Sequence, residues 1–275
     1  MSKCQSVKLI FPIPSLRPYV KMYFWGKDNE APLVQRIVPN GEMGLCFYLN
    51  HPVIYDGIGE RCSCLSGQSL HYHDIVSDGS VEIVGAHFTT LGAHVFFSSP
   101  LKLFFGQIVP LADIADPRLH QLEEEVMLAS DYEICWDLME AFILERLCHS
   151  DFDALTFRRL QRAIAYGQCH TSDAQICQVA SEACLSERHL NRVFSGVVGL
   201  SPKDYLRLQR YHKTLRDLKQ SQNSDSPESL TSIAWANGYC DFSHLYSDFR
   251  KICGYSPSRL LKESDHEEDA VGWRI

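Results

Sequence analysis

The chain has 275 residues, which is enough for two domains of ordinary size. Hydrophobic residues make up 45% of it and charged residues 22%, a composition that excludes a disordered chain. No apolar run reaches the roughly 18 residues of a membrane span. The 11 cysteines are an odd number. They favour reduced thiols, and without a secretory signal at the N-terminus they predict a cytoplasmic protein.

Charge is distributed unevenly along the chain. Residues 1–155 contain 10 Lys and Arg against 20 Asp and Glu, whereas residues 156–263 contain 15 against 10. The short segment 264–275 is acidic again, so the overall net charge of −8 conceals a basic module. A basic C-terminal half that follows an acidic N-terminal half indicates that the basic half binds nucleic acid.

The sequence predicts an α+β protein of two domains. Residues 1–150 form a β-rich domain of the barrel or sandwich type, because short β-branched and aromatic runs alternate with turn residues. The clearest predicted strands are Gly44–Leu49, Pro52–Tyr55, Ser80–Val84 and Ala86–Thr89. Residues 157–262 are predicted to be all helical, and 263–275 form an acidic tail.

The front domain is predicted to end in two amphipathic helices within residues 117–149, separated at Ser130 and Asp131. Apolar residues recur there at helical spacing, and either of the two polar residues is a suitable cap for the second helix. Two alternatives remain open for the apolar faces. They pack on their own domain, or they form the interface of a homodimer.

The helical half contains an internal repeat. Ile176–Ala180, Leu190, Phe194 and Gly199 to Pro202 recur as Leu230–Ala234, Leu245, Phe249 and Gly254 to Pro257. The offset is 54 residues before the turn and 55 after it, so the second turn carries one extra residue. Each copy reads as helix, tight turn and helix, with Ser186 or Asp241 as the cap of the second helix.

This doubled helix-turn-helix resembles the AraC/XylS family of bacterial transcription regulators. The resemblance covers about residues 157–262, and Cys184 stands where the family usually has glycine. It implies two motifs held about one DNA turn apart by a rigid helix, here Pro202 to about Leu218. The composition of Lys219–Ser229, with Gln, Asn, Asp, Pro and Ser residues, predicts a loop or a short flexible link after that helix. The implied partners are double-stranded DNA and, for an activator, RNA polymerase.

The side chains that face outward on the second helix of each motif are the predicted base readers. Arginine matches guanine and asparagine matches adenine through two hydrogen bonds, which favours the first motif. The candidate base readers are Arg188, Asn191, Arg192, Ser195, Phe242, Ser243, Tyr246 and Ser247, with phosphate contact an equal alternative for Ser243 and Tyr246. The candidate phosphate contacts are Lys203, Arg207, Arg210, Lys213, Arg250 and Lys251, although for Arg210 a structural role inside the domain stays equally open.

The front domain resembles the β-rich domain that precedes the DNA-binding half in a subset of these regulators, through stretches such as Val38–Gly41 and Gly85–Phe88. That resemblance implies a small-molecule effector, dimerisation or both. The alternative is a metal-dependent enzyme or binding domain of the barrel type. The histidines and cysteines that suggest it are Cys62, Cys64, His71, His73, His87 and His94, but their spacing lacks a standard ligand pattern. The sequence therefore predicts no catalytic residue, metal or cofactor.

Overall fold

The computed structural model describes residues 6–29, 32–97, 99–150, 152–222 and 228–263, with side chains up to residue 260. The predicted acidic tail lies outside the described residues from position 264 onward. Within the described ranges the chain forms a β-rich front part and an all-helical second part, as the sequence predicts. No helix in those ranges has both the length and the hydropathy of a membrane span.

Two antiparallel sheets that do not close into a barrel form the front part. The six-stranded sheet has the order β1-β2-β9-β4-β7-β10, and the four-stranded sheet has the order β3-β8-β5-β6. The strands are β1 (Ser6–Ile10), β2 (Val20–Asp28), β3 (Leu33–Ile37), β4 (Gly44–Tyr48), β5 (Val53–Tyr55), β6 (Ile58–Arg61), β7 (Ser63–Ser66), β8 (His73–Ser77), β9 (Val81–Phe88) and β10 (Ile108–Pro110).

The central strands β2, β9 and β4 of the six-stranded sheet are buried on both faces, whereas the edge strand β1 is largely exposed. Because side chains alternate along a strand, Phe24 of β2 points to the four-stranded sheet while Tyr23 and Trp25 point away from it. The opposite face carries the helices α2 (Pro117–Leu128) and α3 (Tyr132–Cys148), which follow the short α1 (Ala93–Phe96). The result is a three-layered domain with one core between the sheets and another beneath the helices.

The two predicted strands Ser80–Val84 and Ala86–Thr89 are one strand, β9. Gly85 between them does not break it. A Cβ atom there would lie 2.4 Å from the carbonyl oxygen of Leu45 and 2.5 Å from the Phe24 ring. Glycine therefore allows strand and ring to approach closely in mid-sheet.

Helices α2 and α3 pack within the chain. Asp116 and Asp131 cap their first turns, so Asp131 is the cap among the two candidates at the predicted break. The indole of Trp136 donates to the carbonyl of Phe24 at 3.2 Å, which ties α3 to the six-stranded sheet. The apolar faces of both helices thus cover their own domain.

The second part consists of seven helices in the described residues. They are α4 (Ala154–Cys169), α5 (Ile176–Glu182), α6 (Glu187–Val198), α7 (Pro202–Gln222), α8 (Leu230–Ala236), α9 (Phe242–Ile252) and α10 (Pro257–Glu263). The expectation that a loop begins at Lys219 is wrong, because α7 continues through the polar residues up to Gln222. Helix α4 likewise starts earlier than predicted, at a cap formed by Asp153.

Candidate DNA interface and cavity

The first helix-turn-helix motif consists of α5, a tight turn and α6. Cys184 in the turn has φ +53°, a left-handed conformation that glycine adopts at lower cost than cysteine. The Ser186 hydroxyl accepts a hydrogen bond from the backbone of His189, which confirms the predicted cap. Helix α6 ends at Gly199 with φ +88°, as the sequence predicts.

The second motif, α8 to α9, repeats this geometry with one insertion. Gly238 has φ +74° at the position that corresponds to Cys184. The extra residue is Cys240, which lies between the end of the turn and the cap Asp241. Its carbonyl accepts a hydrogen bond from the indole of Trp235 at 3.2 Å, so α8 itself stabilises the enlarged turn.

The outward faces of the two recognition helices, α6 and α9, carry different chemistry. Arg188, Asn191 and Arg192 are exposed on α6, and Ser195 is half-buried. On α9 Ser243, Tyr246 and Ser247 are exposed, whereas Phe242 is half-buried against the core. Leu190, Phe194, Leu245 and Phe249 are fully buried on the opposite faces, as the repeat indicates.

The predicted phosphate contacts fall into two groups. Lys203, Arg250 and Lys251 are exposed. Three side chains of α7 are instead bound within the domain. Arg207 pairs with the buried Asp248 at 2.7 Å, Lys213 donates to Asp217 and Asn237, and Arg210 lies 5.5 Å from the Tyr239 ring centre. This placement favours a structural role for Arg210. The candidate phosphate contacts that keep exposed side chains are Lys203, Arg250 and Lys251.

Both recognition helices contact the front part of the chain at their C-terminal ends. Gly199 lies against Gln68 and the backbone of Leu101 at the end of α6. The end of α9 is held by Arg36 and His71, which interact with the carbonyl oxygens of Cys253 and Lys251. No local sequence pattern indicates these contacts, because they join residues about 100 to 220 positions apart.

A cavity of about 400 Å³ lies between the sheets and the long helix α7. Its front wall includes the aromatic side chains of Phe24, Tyr48 and Tyr55, and its other wall is Tyr211, His212 and Leu215 of α7. The cavity is thus lined by residues of both parts of the chain. The sequence alone contains no signal for it.

Charged groups line one side of the cavity. The Lys21 ammonium lies 2.8 Å from the Glu42 carboxylate, and His87 lies 3.8 Å from the same carboxylate. Burial of Glu42 opposes its ionised form, but the neighbouring His87 and Lys21 outweigh that effect and lower its pKa. Burial also lowers the pKa of His212, whose ring donates to the carbonyl of Pro39 at 2.8 Å. An ionised carboxylate and a neutral imidazole therefore face the cavity.

The histidines and cysteines that suggested a metal site lie apart. His73 pairs with Asp56, His71 lies against the carbonyl of Lys251, and His94 packs on the Phe152 ring. Cys64 is buried and Cys62 is exposed. Among the described residues there is no group of three or more histidine, cysteine or carboxylate side chains arranged to hold a metal ion.

Two family models match the chain. Residues 179–263 match the "Helix-turn-helix domain" model, and residues 8–110 match "Domain of unknown function (DUF6597)". The HTH-type transcriptional activator RhaS of Escherichia fergusonii is 32% identical over 114 residues, which are 41% of this chain and 39% of that protein. The uncharacterized HTH-type transcriptional regulator YidL of Escherichia coli is 33% identical over 117 residues, 41% of this chain and 37% of that protein.

These alignments span about two fifths of the length of each curated relative. Among solved structures, ToxT from Vibrio cholerae aligns over 86% of this chain and 98% of its own, with 12% identity and a TM-score of 0.45. That similarity is too distant to transfer any detail from one molecule to the other. The internal repeat, the helix caps and the similar proteins all indicate helix-turn-helix motifs in the helical part. Residues 179–263 are thus similar to the helix-turn-helix domain of AraC/XylS-type regulators.

Proposed function

We propose that the chain is a sequence-specific DNA-binding transcription regulator and not an enzyme. The observation that carries this proposal is the duplicated motif, in which two capped recognition helices expose their polar faces while α7 joins them. A recognition helix fits the major groove, and two such helices reach successive grooves about 34 Å apart on one side of the DNA. The basic charge of the same half supports a phosphate backbone as partner.

In this proposal α6 reads bases and α9 contributes mainly backbone and apolar contacts. The guanidinium groups of Arg188 and Arg192 are exposed and available to purine edges. Asn191 already donates to the carbonyl of Glu187 at 2.9 Å, so reading adenine requires this side chain to turn away from its own helix. Ser195, Phe242, Ser243, Tyr246 and Ser247 complete the proposed DNA-facing set, with Lys203, Arg250 and Lys251 as phosphate contacts.

Selection from a random-sequence DNA library with the full-length protein tests the proposal. We expect one enriched motif that extends over two adjacent major grooves, with an affinity that falls steeply as salt rises. Arg192→Ala should alter the motif. Arg158→Ala, an equal loss of charge on the exposed face of α4, is the matched control and should leave it unchanged. Failure to enrich any sequence, together with salt-independent binding, would refute DNA recognition.

We also propose that the cavity beside α7 binds a small-molecule effector. Its volume suits a small organic ligand, and its wall combines aromatic surface with the Lys21–Glu42 ion pair and the imidazole of His87. A thermal-shift screen of a small-molecule library against the full chain tests this. A ligand of the cavity should raise the melting temperature of the wild type but not of Ser66→Phe, which fills the cavity from β7. Hits that stabilise both proteins equally would place their binding elsewhere.

We further propose a homodimer and, for an activator, contact with RNA polymerase. The apolar faces of α2 and α3 are already used within the chain, so a dimer requires another surface or their exposed remainder, which includes Leu128. Light scattering of the full chain at micromolar concentration, with and without DNA, tests the dimer. A monomer under both conditions would remove it.

A further inference from the structure

Arg36 of β3 occupies a site where the front domain meets the second helix-turn-helix motif. Its guanidinium forms two hydrogen bonds with Asp74 of β8, at 2.7 and 2.8 Å. The same group lies 3.7 Å from the ring centre of Tyr72 and 4.7 Å from that of Tyr255, which follows α9. We call these four residues, Arg36, Tyr72, Asp74 and Tyr255, the Arg36 clamp.

The clamp reaches the end of a recognition helix. One guanidinium nitrogen of Arg36 donates to the carbonyl of Cys253 at 3.3 Å, and Cys253 is the C-cap of α9. The last carbonyl oxygens of a helix lack partners within the helix and carry its negative partial charge, so a fixed cation there is favourable. His71 lies 3.1 Å from the carbonyl of Lys251, the penultimate residue of the same helix.

Gly254 permits this approach. It has φ +79°, and a Cβ atom at that position would lie 2.3 Å from the Arg36 guanidinium and 2.6 Å from the Tyr72 ring. Both the backbone conformation and the absence of a side chain are therefore needed for the contact. Arg36 and Tyr72 thus fit the end of α9 in shape at Gly254, and Arg36 fits it in charge at the carbonyl oxygen of Cys253.

The clamp leaves the DNA-facing side of α9 open. Ser243, Tyr246 and Ser247 stay exposed, since the contact is made at the C-terminal end of the helix. We infer that Arg36 is a positioning residue for DNA binding, which fixes the angle of the second recognition helix relative to the first. This inference rests on the proposed function, because only a two-groove DNA site makes that angle matter.

Footprinting of the full-length protein on the DNA motif that the wild type selects tests the inference. Arg36→Ala should lose protection over the groove contacted by α9 and keep it over the groove contacted by α6. Affinity for the complete site should fall about tenfold, within the range of coupling between two sites. On DNA that contains the α6 half-site alone, the variant and the wild type should bind equally.

Further variants separate positioning from general loss of folding. Arg36→Lys keeps a cation beside Asp74 but lacks the planar fork and stacks less well on the tyrosines, so we expect an intermediate footprint. Tyr255→Ala should resemble Arg36→Ala, and the double variant should be no weaker than either. Lys27→Ala removes a comparable ion pair, with Glu82, from the six-stranded sheet and should protect both grooves.

The outcomes are distinguishable. If the wild type selects no DNA, the proposed function fails and the inference fails with it. Wild-type protection of both grooves by Arg36→Ala would overturn the inference alone. Equal weakening at both half-sites would also overturn it, because a merely structural role predicts that pattern.

Discussion

The two helix-turn-helix motifs have the same backbone plan and unlike surfaces. Each has a left-handed residue in its turn, a polar cap and a buried leucine and phenylalanine four residues apart on its second helix. Helix α6 exposes two arginines and an asparagine, whereas α9 exposes hydroxyl groups and an aromatic ring. The comparison shows that the two motifs share the caps and buried residues that stabilise the turn, whereas their outward-facing side chains differ.

The largest difference between the two motifs should appear in the free energy of unfolding when the turn residues are substituted. A Cβ atom at Gly238 would lie 2.0 Å from the carbonyl oxygen of Ser172, and its φ of +74° disfavours a side chain. We expect Gly238→Ala to lower the free energy of unfolding by about 3 kcal/mol, through the left-handed penalty and the clash. Urea denaturation of the full chain measures it.

The reverse substitution in the first turn should raise the free energy of unfolding. Cys184 is exposed and already bears the left-handed cost, so Cys184→Gly should stabilise the chain by up to about 1 kcal/mol. A loss of stability in Cys184→Gly would contradict a left-handed penalty in the first turn.

The second motif contains an ion pair that the first motif lacks, because the first motif has an apolar residue in place of the carboxylate. Asp248 is buried and pairs with Arg207, and the residue that corresponds to it in α6 is Val193. Removing Arg207 leaves a buried carboxylate without its cation, which should cost roughly 2–3 kcal/mol, less than for a fully buried pair because Arg207 is partly exposed.

A double variant tests that reading. Arg207→Ala with Asp248→Val copies the first motif and should recover most of the lost stability in urea denaturation. A double variant no more stable than Arg207→Ala would mean that the ion pair has a role beyond charge compensation.

Substitutions on the two recognition helices should differ in their effects on DNA affinity and on sequence preference. Arg192→Ala should cost roughly 1–3 kcal/mol on the selected motif and relax the preference at one base pair. Ser247→Ala should cost much less and leave the preference nearly intact, because a hydroxyl discriminates poorly between bases. Binding-site selection with both variants measures this. A motif altered by the serine change and unaffected by the arginine change would reverse the assignment.

Phosphate contact should be the property in which the motifs are most alike. Lys203→Ala and Lys251→Ala should each reduce the slope of log affinity against log salt by about 1, without changing the preferred sequence. Lys213→Ala is the control, since its ammonium is bound to Asp217 and Asn237 inside the domain, and its slope should match the wild type. A changed slope for that control would return Lys213 to the phosphate contacts.

Local patterns predict much of this molecule. The repeat located both motifs, and Ser186 and Asp241 were identified as caps because polar residues at helix starts satisfy free backbone donors. The same reasoning failed at Lys219, where polar residues suggested a loop although they continue α7. It also failed at Gly85, because the Phe24 ring that requires a glycine there comes from β2, which is adjacent in the sheet but far away in the sequence.

The contacts between the two parts of the chain were beyond such reasoning. Arg36 lies in an unremarkable strand segment, and its partner Tyr255 is more than 200 residues away. The cavity is likewise made by side chains from both halves, among them Glu42 and His212. Such sites depend on how the two parts of the chain pack together. Neither the spacing of apolar residues nor the helix-capping residues predict that packing.

The shared wall of the cavity has a thermodynamic consequence. Arg36 lies on that wall and also holds the end of α9, so an occupant that shifts Arg36 changes the orientation of a recognition helix. By linkage, whatever factor the occupant applies to DNA affinity, the DNA must apply to the affinity for the occupant. Operator DNA would then act as a ligand of the front domain, and a cell with more binding sites would respond at a different effector concentration.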